Sequence, residues 1–516
     1  MNLSELLTEN VARFGEYSLL HYKGKAITNR ELDRLVNRVA SGLVELGVKP
    51  GERVTLIMGN SPELLIAMFA CFKIGAWAMP VVLSLRPPEL ALVLNDAEPS
   101  TLIAQRIFSE RIQEPAKEDG GIRYRVLVGK GPGLPHWLMW EDWIAGQPDE
   151  FKARDCEPDE VALLLYTSGT TGNPKGVMLS HLNLHSNALN SARSQGLRPG
   201  EVNLLVLPLN HSFGITAWLA ALVYGMQVVL LSRFDPVEVI RSIDRYQVES
   251  SAMVPTMLHF LLGVPERDRG EGLQSLRRIV VGAAPLRLQL RDRFERAYPH
   301  IQILEAYGLT EASPGVTVSR PDRPQRSRTV GQSIENQEVR IVDELDNPLG
   351  PGQVGEVCTR GPHVMTGYYQ RARETAEVLR NGWLHTGDAG YLDEEGYLYL
   401  TERLKDLIIR GGENVYPSDV ERVLCSHPAI AEAAVIGMPD EIYGEEVVAV
   451  VVKRPGALVT ERELIAYCEG NLARFQVPKH FLFTHMLPKS PMGKIRKQDL
   501  REQFGGVVKT GSPDET

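Results

Sequence analysis

The segment Tyr166-Thr-Ser-Gly-Thr-Thr-Gly-Asn-Pro-Lys-Gly176 concentrates groups that grip anions. It places the hydroxyls of Thr167, Ser168, Thr170 and Thr171 among Gly169, Gly172 and Gly176, with Lys175 close behind. Glycines let backbone N–H groups approach an anion, and a glycine-rich loop can form a concave nest. Hydroxyls donate to phosphate oxygens, and a lysine adds a point charge. The chemistry this pattern points to is binding of a polyphosphate. The stretch from Gly169 to Gly172 is too short for the GxxxxGK[ST] phosphate loop, which excludes that motif. A run read as a buried strand, 161–165 (VALLL), leads directly into the segment and separates it from an ordinary flexible loop of similar composition.

This segment resembles the phosphate-loop motif of the adenylate-forming enzymes. That superfamily comprises acyl- and aryl-CoA synthetases, nonribosomal peptide synthetase adenylation domains and firefly luciferase. The resemblance runs from about residue 5 to about residue 500, and further motifs follow in the family's order. It implies that Thr167, Ser168, Gly169, Thr170, Thr171, Gly172 and Lys175 bind ATP. Glu305-Ala-Tyr-Gly-Leu-Thr-Glu311 resembles the second nucleotide motif, so Glu305, Ala306, Tyr307 and Gly308 join the ATP site. Tyr307 offers a flat face for adenine, and Thr310 a hydroxyl for the α-phosphate. Glu311 is a hard oxygen ligand suited to Mg²⁺, which takes one or two carboxylates and keeps several waters.

His385-Thr-Gly-Asp388 resembles the ribose motif, where the Asp388 carboxylate would accept from the two ribose hydroxyls. By the same resemblance Arg403 contacts the nucleotide and Lys405 is the hinge between two domains. Glu402 stands where relatives more often have Gly or Asp, which adds an acid near the hinge. Arg410-Gly-Gly-Glu-Asn-Val-Tyr-Pro417 resembles the loop that lines the pantetheine tunnel, with Gly411 and Gly412 leaving room for CoA. Leu487-Pro-Lys-Ser-Pro-Met-Gly-Lys-Ile-Arg-Lys497 resembles the last motif and makes Lys494 the catalytic lysine of adenylation, with Lys489, Arg496 and Lys497 as surface charges.

On the acyl side, Pro208-Leu-Asn-His-Ser-Phe-Gly214 resembles the family segment that carries a His at the carboxylate site, which implies His211 as gate or orienter; a satisfied core histidine is the competing reading. Gly282, Ala283 and Ala284 resemble the small-residue wall of the acyl pocket. Ile215 occupies the position where some long-chain enzymes carry a Trp.

The implied function is an ATP-dependent carboxylic acid–CoA ligase that uses Mg²⁺. It would form an acyl-adenylate and pyrophosphate, then acyl-CoA and AMP. The substrate expected is a fatty acid of medium or long chain. An aryl or alicyclic acid, or a carrier protein as acceptor in place of CoA, are the alternatives. A luciferase-type oxygenase and a regulator without catalysis are further readings, the latter opposed by the presence of Lys494, Glu311 and Asp388.

These residues need a scaffold, and the chain patterns one. Helical and strand periodicities alternate through the first hundred residues and recur in VNLLVLP, MQVVLLS, SSAMVP and RRIVVGA. That alternation implies an α/β fold with doubly wound parallel sheets. Thr28 to Glu31 reads as a capping box, and Ser61-Pro62 as a helix start. After about 330 short strands with Asp, Asn and Gly turns suggest a β-rich subdomain, and from about 406 a compact α+β unit begins. Ser418 to Glu421 and Thr460 to Glu463 read as helix caps there. The expected domains are therefore 1–404, with the β-rich part at about 330–404, and a small mobile domain at 405–516.

Composition bounds the rest. The 516 residues are 43% hydrophobic and 23% charged, with a formal net charge of −9, so a disordered chain and general nucleic-acid binding are disfavoured. The five cysteines are widely spaced without a CxxC pair, which suits a reducing cytoplasm and argues against a disulfide framework or a zinc-thiolate site. The apolar run 215–231 is interrupted by Thr216, Gly225 and Gln227 and reads as a buried helix, a glycine turn and a buried strand, not a membrane span. The acidic start carries no secretory or transit signal. His181 and His185 lack the HExxH frame, and Arg320, Arg323, Arg326 and Arg328 read as solvated charge, with contact to an anionic membrane surface or an acidic carrier protein as the alternative. Monomer and homodimer both stay open.

Overall fold

The computed structural model describes residues 1–112, 121–167, 174–265, 267, 272–403, 406–411, 413–440, 442–489 and 495–508, without the side chains of 110–111, 402–403, 414 and 505–508. By packing the chain divides into two compact units: Met1–Val339 with Cys358–His385, and Arg340–Val357 with Thr386–Thr516. The fold is mixed α/β, as the alternating periodicities imply.

The first unit holds two large sheets. One has nine strands in the order Gln332–Ser333, Gly315–Val318, Gln302–Gly308, Arg278–Val281, Ser250–Met253, Val202–Leu205, Gln227–Leu230, Ser18–Tyr22 and Lys25–Thr28. Its six central strands run parallel, and antiparallel strands close each edge. The other has eight strands, with Val161–Thr167 paired parallel to Trp77–Pro80 and antiparallel to Lys175–Ser180. Continuous apolar runs such as RIVV at 278–281 suit strands buried on both faces, and all four residues are buried.

Local chemistry fixes the helices. Thr28 Oγ1 accepts from Glu31 N at 3.1 Å and Glu31 Oε2 accepts from Thr28 N at 2.8 Å, which starts the helix Asn29–Glu45. Ser61 caps Pro62–Ile74, which ends at Gly75 in the left-handed region. The apolar run at 215–231 resolves into the helix Ser212–Val223, a turn with Gly225 at φ +65°, and the strand Gln227–Leu230. Among the described residues no helix is long and apolar enough to cross a membrane.

In the second unit, Ile430–Asp440 and Gly444–Lys453 form a long antiparallel pair, joined by Ile408–Arg410, Glu413–Val415 and the parallel strand His480–Thr484. Val435, Val447, Ala449 and Val451 pack against the helices Pro417–Ser426 and Glu461–Glu469 through Val420, Leu424 and Leu464. The Thr460 capping box forms as expected. The Ser418 cap does not: the helix begins at Pro417, and Ser418 Oγ donates to Thr401 O at 2.6 Å. Proline at the first helical position overrides the later serine.

Candidate functional site

In the first unit the glycine- and threonine-rich segment connects two paired strands, with Tyr166 opposite Gly176 and Thr167 opposite Lys175. Ser168, Gly169, Thr170, Thr171 and Gly172 lie outside the described residues. The ends of the segment are held firmly. Tyr166 Oη donates to Asp96 Oδ2 at 2.7 Å, and Arg371 pairs with the same carboxylate. Lys175 Nζ sits 5.1 Å from the centroid of the Tyr368 ring.

The nucleotide motif lies at the end of the strand Gln302–Gly308 and in the short helix Thr310–Ala312. Glu305 is buried, and Arg291 Nη1 reaches its Oε1 at 2.6 Å. Burial pushes the Glu305 carboxyl above its usual range, and the Arg291 guanidinium opposes that push. Ala306, Tyr307 and Gly308 follow half-buried, and Tyr307 packs on a cluster of Ala312, Val316 and Leu384. A Cβ on Gly308 would stand 1.8 Å from Pro314 O, so the turn admits only glycine. Glu311 is half-buried; Tyr368 Oη donates to its Oε1 at 2.9 Å, and Met365 N donates to its main-chain oxygen.

The acyl-side residues meet this motif. His211 caps the helix Ser212–Val223, its Nδ1 accepting from Phe213 N at 3.4 Å. Ser212 Oγ lies 3.3 Å from Thr310 Oγ1, and Thr216 Oγ1 donates to Ser313 O at 2.7 Å. Asn60 binds Leu207 O, Leu231 O and Leu209 N, which fixes the approach to His211. Gly282 is buried; a Cβ there would stand 3.1 Å from Ala306 O and 3.5 Å from the Phe213 ring. Ala283 holds φ +68°, uncommon for a residue with a Cβ, and it and Ala284 are half-buried. Ile215 is fully buried in the helix.

In the second unit Asp388 is buried and pairs in register with Arg403 across an antiparallel ladder. Its N–H donates to Thr386 Oγ1 at 3.1 Å, and Gly387 turns the chain at φ +70°. The Arg403 side chain, Lys405, Gly412 and Lys494 lie outside the described residues. Gly411 sits at φ +59°, its N–H donating to Tyr443 O at 2.8 Å. Arg410 stacks 4.6 Å above the Tyr443 ring and pairs with Glu446. Lys489, Arg496 and Lys497 pair with Glu432, Asp499 and Glu421. In the first unit Arg320 pairs with Asp322.

Four residues that the sequence reading did not single out contact the candidate site residues: Ser212, Phe213, Arg291 and Tyr368. Ser212 and Phe213 follow His211 and could have been found as its neighbours; Arg291 and Tyr368 carry no local signal. Among the described residues, the first unit joins the His211 segment to the 305–311 segment through Ser212 and Thr310. The donor chemistry fits Mg²⁺: Glu311 offers a half-buried carboxylate, and the Tyr368 that donates to it also carries Lys175 over its ring.

Comparison with known proteins gives the family. Residues 7–369 match the AMP-binding enzyme family, and residues 419–494 match the AMP-binding enzyme C-terminal domain. The chain therefore belongs to the AMP-binding, adenylate-forming enzymes. It is 38% identical to feruloyl-CoA synthase of an Amycolatopsis species, over 94% of this chain and 96% of that one. It is 32% identical to the long-chain-fatty-acid–CoA ligase of Escherichia coli O157:H7, over 98% and 95%. The crystal structure of ATP-bound MatB from Rhodopseudomonas palustris superposes with a TM-score of 0.90 at 31% identity, covering 98% of this chain and 100% of that one. The protein is an AMP-forming acid–thiol ligase, with ATP, Mg²⁺ and CoA as its nucleotide, ion and acceptor.

Proposed function

We propose that this ligase activates an aromatic carboxylic acid. The observation that carries the reading is the junction of Ser212 and Thr310, with the Phe213 ring beside Gly282, which itself faces Ala306 O of the nucleotide strand. A flat aromatic face beside a glycine suits a planar acyl group. The feruloyl-CoA synthase relative, at 38% identity, supports the same class. A second reading, a medium- or long-chain fatty acid, is favoured by the fatty-acid relative at 32% identity.

In this reading the substrate carboxylate attacks the α-phosphorus of ATP, and pyrophosphate leaves. Negative charge grows on the α-phosphoryl oxygens, so donors already in place lower the barrier. Thr310 and Lys494 supply those donors. Thr167 to Gly172 and Lys175 hold the departing phosphates, and Glu305 to Gly308 form the adenine side. Asp388 and Arg403 hold the ribose. Glu311 holds Mg²⁺, which neutralises phosphate charge when bound. His211 orients the carboxylate, and Ile215, Gly282, Ala283 and Ala284 shape the acyl pocket. The 405–516 domain then turns about Lys405, and Gly411 and Gly412 admit the pantetheine arm. The CoA thiol attacks the adenylate carbonyl and AMP leaves.

The test is AMP release with MgATP over a panel from acetate to palmitate that includes benzoate, cinnamate, ferulate and cyclohexanecarboxylate, each with and without CoA. CoA-dependent AMP and thioester with the aromatic acids is the expected result; activity confined to the alkyl acids selects the second reading. Lys494→Ala is expected to cripple adenylation while largely sparing thioester formation from preformed adenylate. Equal loss of both half-reactions would remove the role given to Lys494.

A further inference from the structure

Tyr368 serves two charged groups at once. Its hydroxyl donates to Glu311 Oε1 at 2.9 Å. The face of its ring carries Lys175, with Nζ 5.1 Å from the centroid. An aromatic ring attracts a cation to its face, and a phenol donates to a carboxylate from its edge. One side chain therefore aims an ammonium and a carboxylate without cancelling either charge.

The tyrosine is itself held on several sides. Gly367 and Tyr368 pair antiparallel with Met178 and Val177, two residues beyond Lys175 in the strand. Tyr368 N donates to Thr375 Oγ1 at 2.9 Å, and Thr375 Oγ1 donates to Arg371 O at 2.8 Å. Three residues earlier, Met365 N donates to Glu311 O at 2.9 Å. The segment 365–368 thus fixes both the main chain and the carboxylate of Glu311. Tyr368 is only 8% exposed, so water competes little for either contact.

We propose that Tyr368 is a positioning residue that aims Glu311 at the magnesium ion and Lys175 at the terminal phosphates, so that metal and polyphosphate bind as one unit. This rests on the proposed role of Glu311 as the metal carboxylate. Partners that orient a metal ligand typically change metal affinity about 10–100-fold when removed. Tyr368→Phe keeps the ring under Lys175 and removes only the hydroxyl. It should weaken Mn²⁺ binding in the presence of a nonhydrolysable ATP analogue about tenfold. It should raise the Mg²⁺ concentration needed for half-maximal adenylation by a similar factor, with a much smaller change in kcat at saturating Mg²⁺. Tyr368→Leu should add a rise in KM for ATP, because Lys175 loses its platform.

The experiment is Mn²⁺ titration by electron paramagnetic resonance on the full-length protein, with Glu311→Gln as reference and thermal melts as the folding control. Weakened Mn²⁺ binding in both Glu311→Gln and Tyr368→Phe supports the proposal. Weakening in Glu311→Gln alone overturns the role of Tyr368 and leaves the metal assignment standing. Unchanged Mn²⁺ binding in Glu311→Gln overturns the metal assignment and the proposal with it. A Tyr368→Phe enzyme that is slower by the same factor at every Mg²⁺ concentration has lost fold, not aim, and overturns the proposal too.

Discussion

The two units hold their candidate site residues by different means. In the first, the key contacts join residues far apart in the chain: Ser212 with Thr310 across 98 positions, Tyr166 with Asp96 across 70, Glu311 with Tyr368 across 57. In the second, Asp388 rests on a local antiparallel ladder, opposite Arg403 and bonded to Thr386. Long-range buried contacts make site geometry and fold stability one property. A local ladder lets a side chain change with little effect on the fold. The first-unit candidates are therefore the ones whose substitution should also disturb the fold.

Three substitutions probe that contrast. Arg291→Met should have the largest effect, because it leaves Glu305 buried without its cation. Breaking such a pair from one side costs about 3–5 kcal/mol. Denaturant unfolding should show that loss, and the double variant with Glu305→Gln should recover part of it. Asp388→Asn should behave in the opposite way. Weakening hydrogen bonds to a charged group costs about 1.5–3 kcal/mol, so KM for ATP should rise at least tenfold while the melting transition stays close to wild type. A large fall in melting temperature for this variant would erase the contrast.

The smallest effect is a pH effect on the first unit. His181 Nδ1 accepts from Leu3 N at 3.0 Å, 178 positions away, and burial pushes its pKa down to about 4 while Glu160 opposes the shift. The unfolded chain binds that proton near pH 6.5, and the folded chain resists it. The stabilisation is therefore complete above about pH 6.5 and is lost as pH falls toward 4. At pH 5 the loss is about 2 kcal/mol relative to neutral pH. His181→Asn should show a stability difference between pH 7.5 and pH 5 smaller than wild type by that amount.

Local features were legible in the sequence, and nonlocal ones were not. The capping boxes at Thr28 and Thr460 formed because two side chains within four residues decide them. Ser418 failed because Pro417, next to it, starts the helix first. The alternating runs announced the α/β class but not the strand order, which depends on pairings between distant segments. The site followed the same rule. Thr310, Glu311 and His211 stand out in short motifs, yet that Ser212 lies against Thr310 is written only in the fold. Arg291 and Tyr368 act on motif residues from outside any motif, so no local pattern marks them.

The strand Ser18–Tyr22 sits in its sheet beside Gln227–Leu230, and His21 reaches Gln227 from 206 positions away. A ribosome adding 5–20 residues per second needs roughly 10–40 s to deliver that neighbour. Until then the edge of Ser18–Tyr22 has no native partner, so any strand structure there before that point would leave an edge open to wrong pairing.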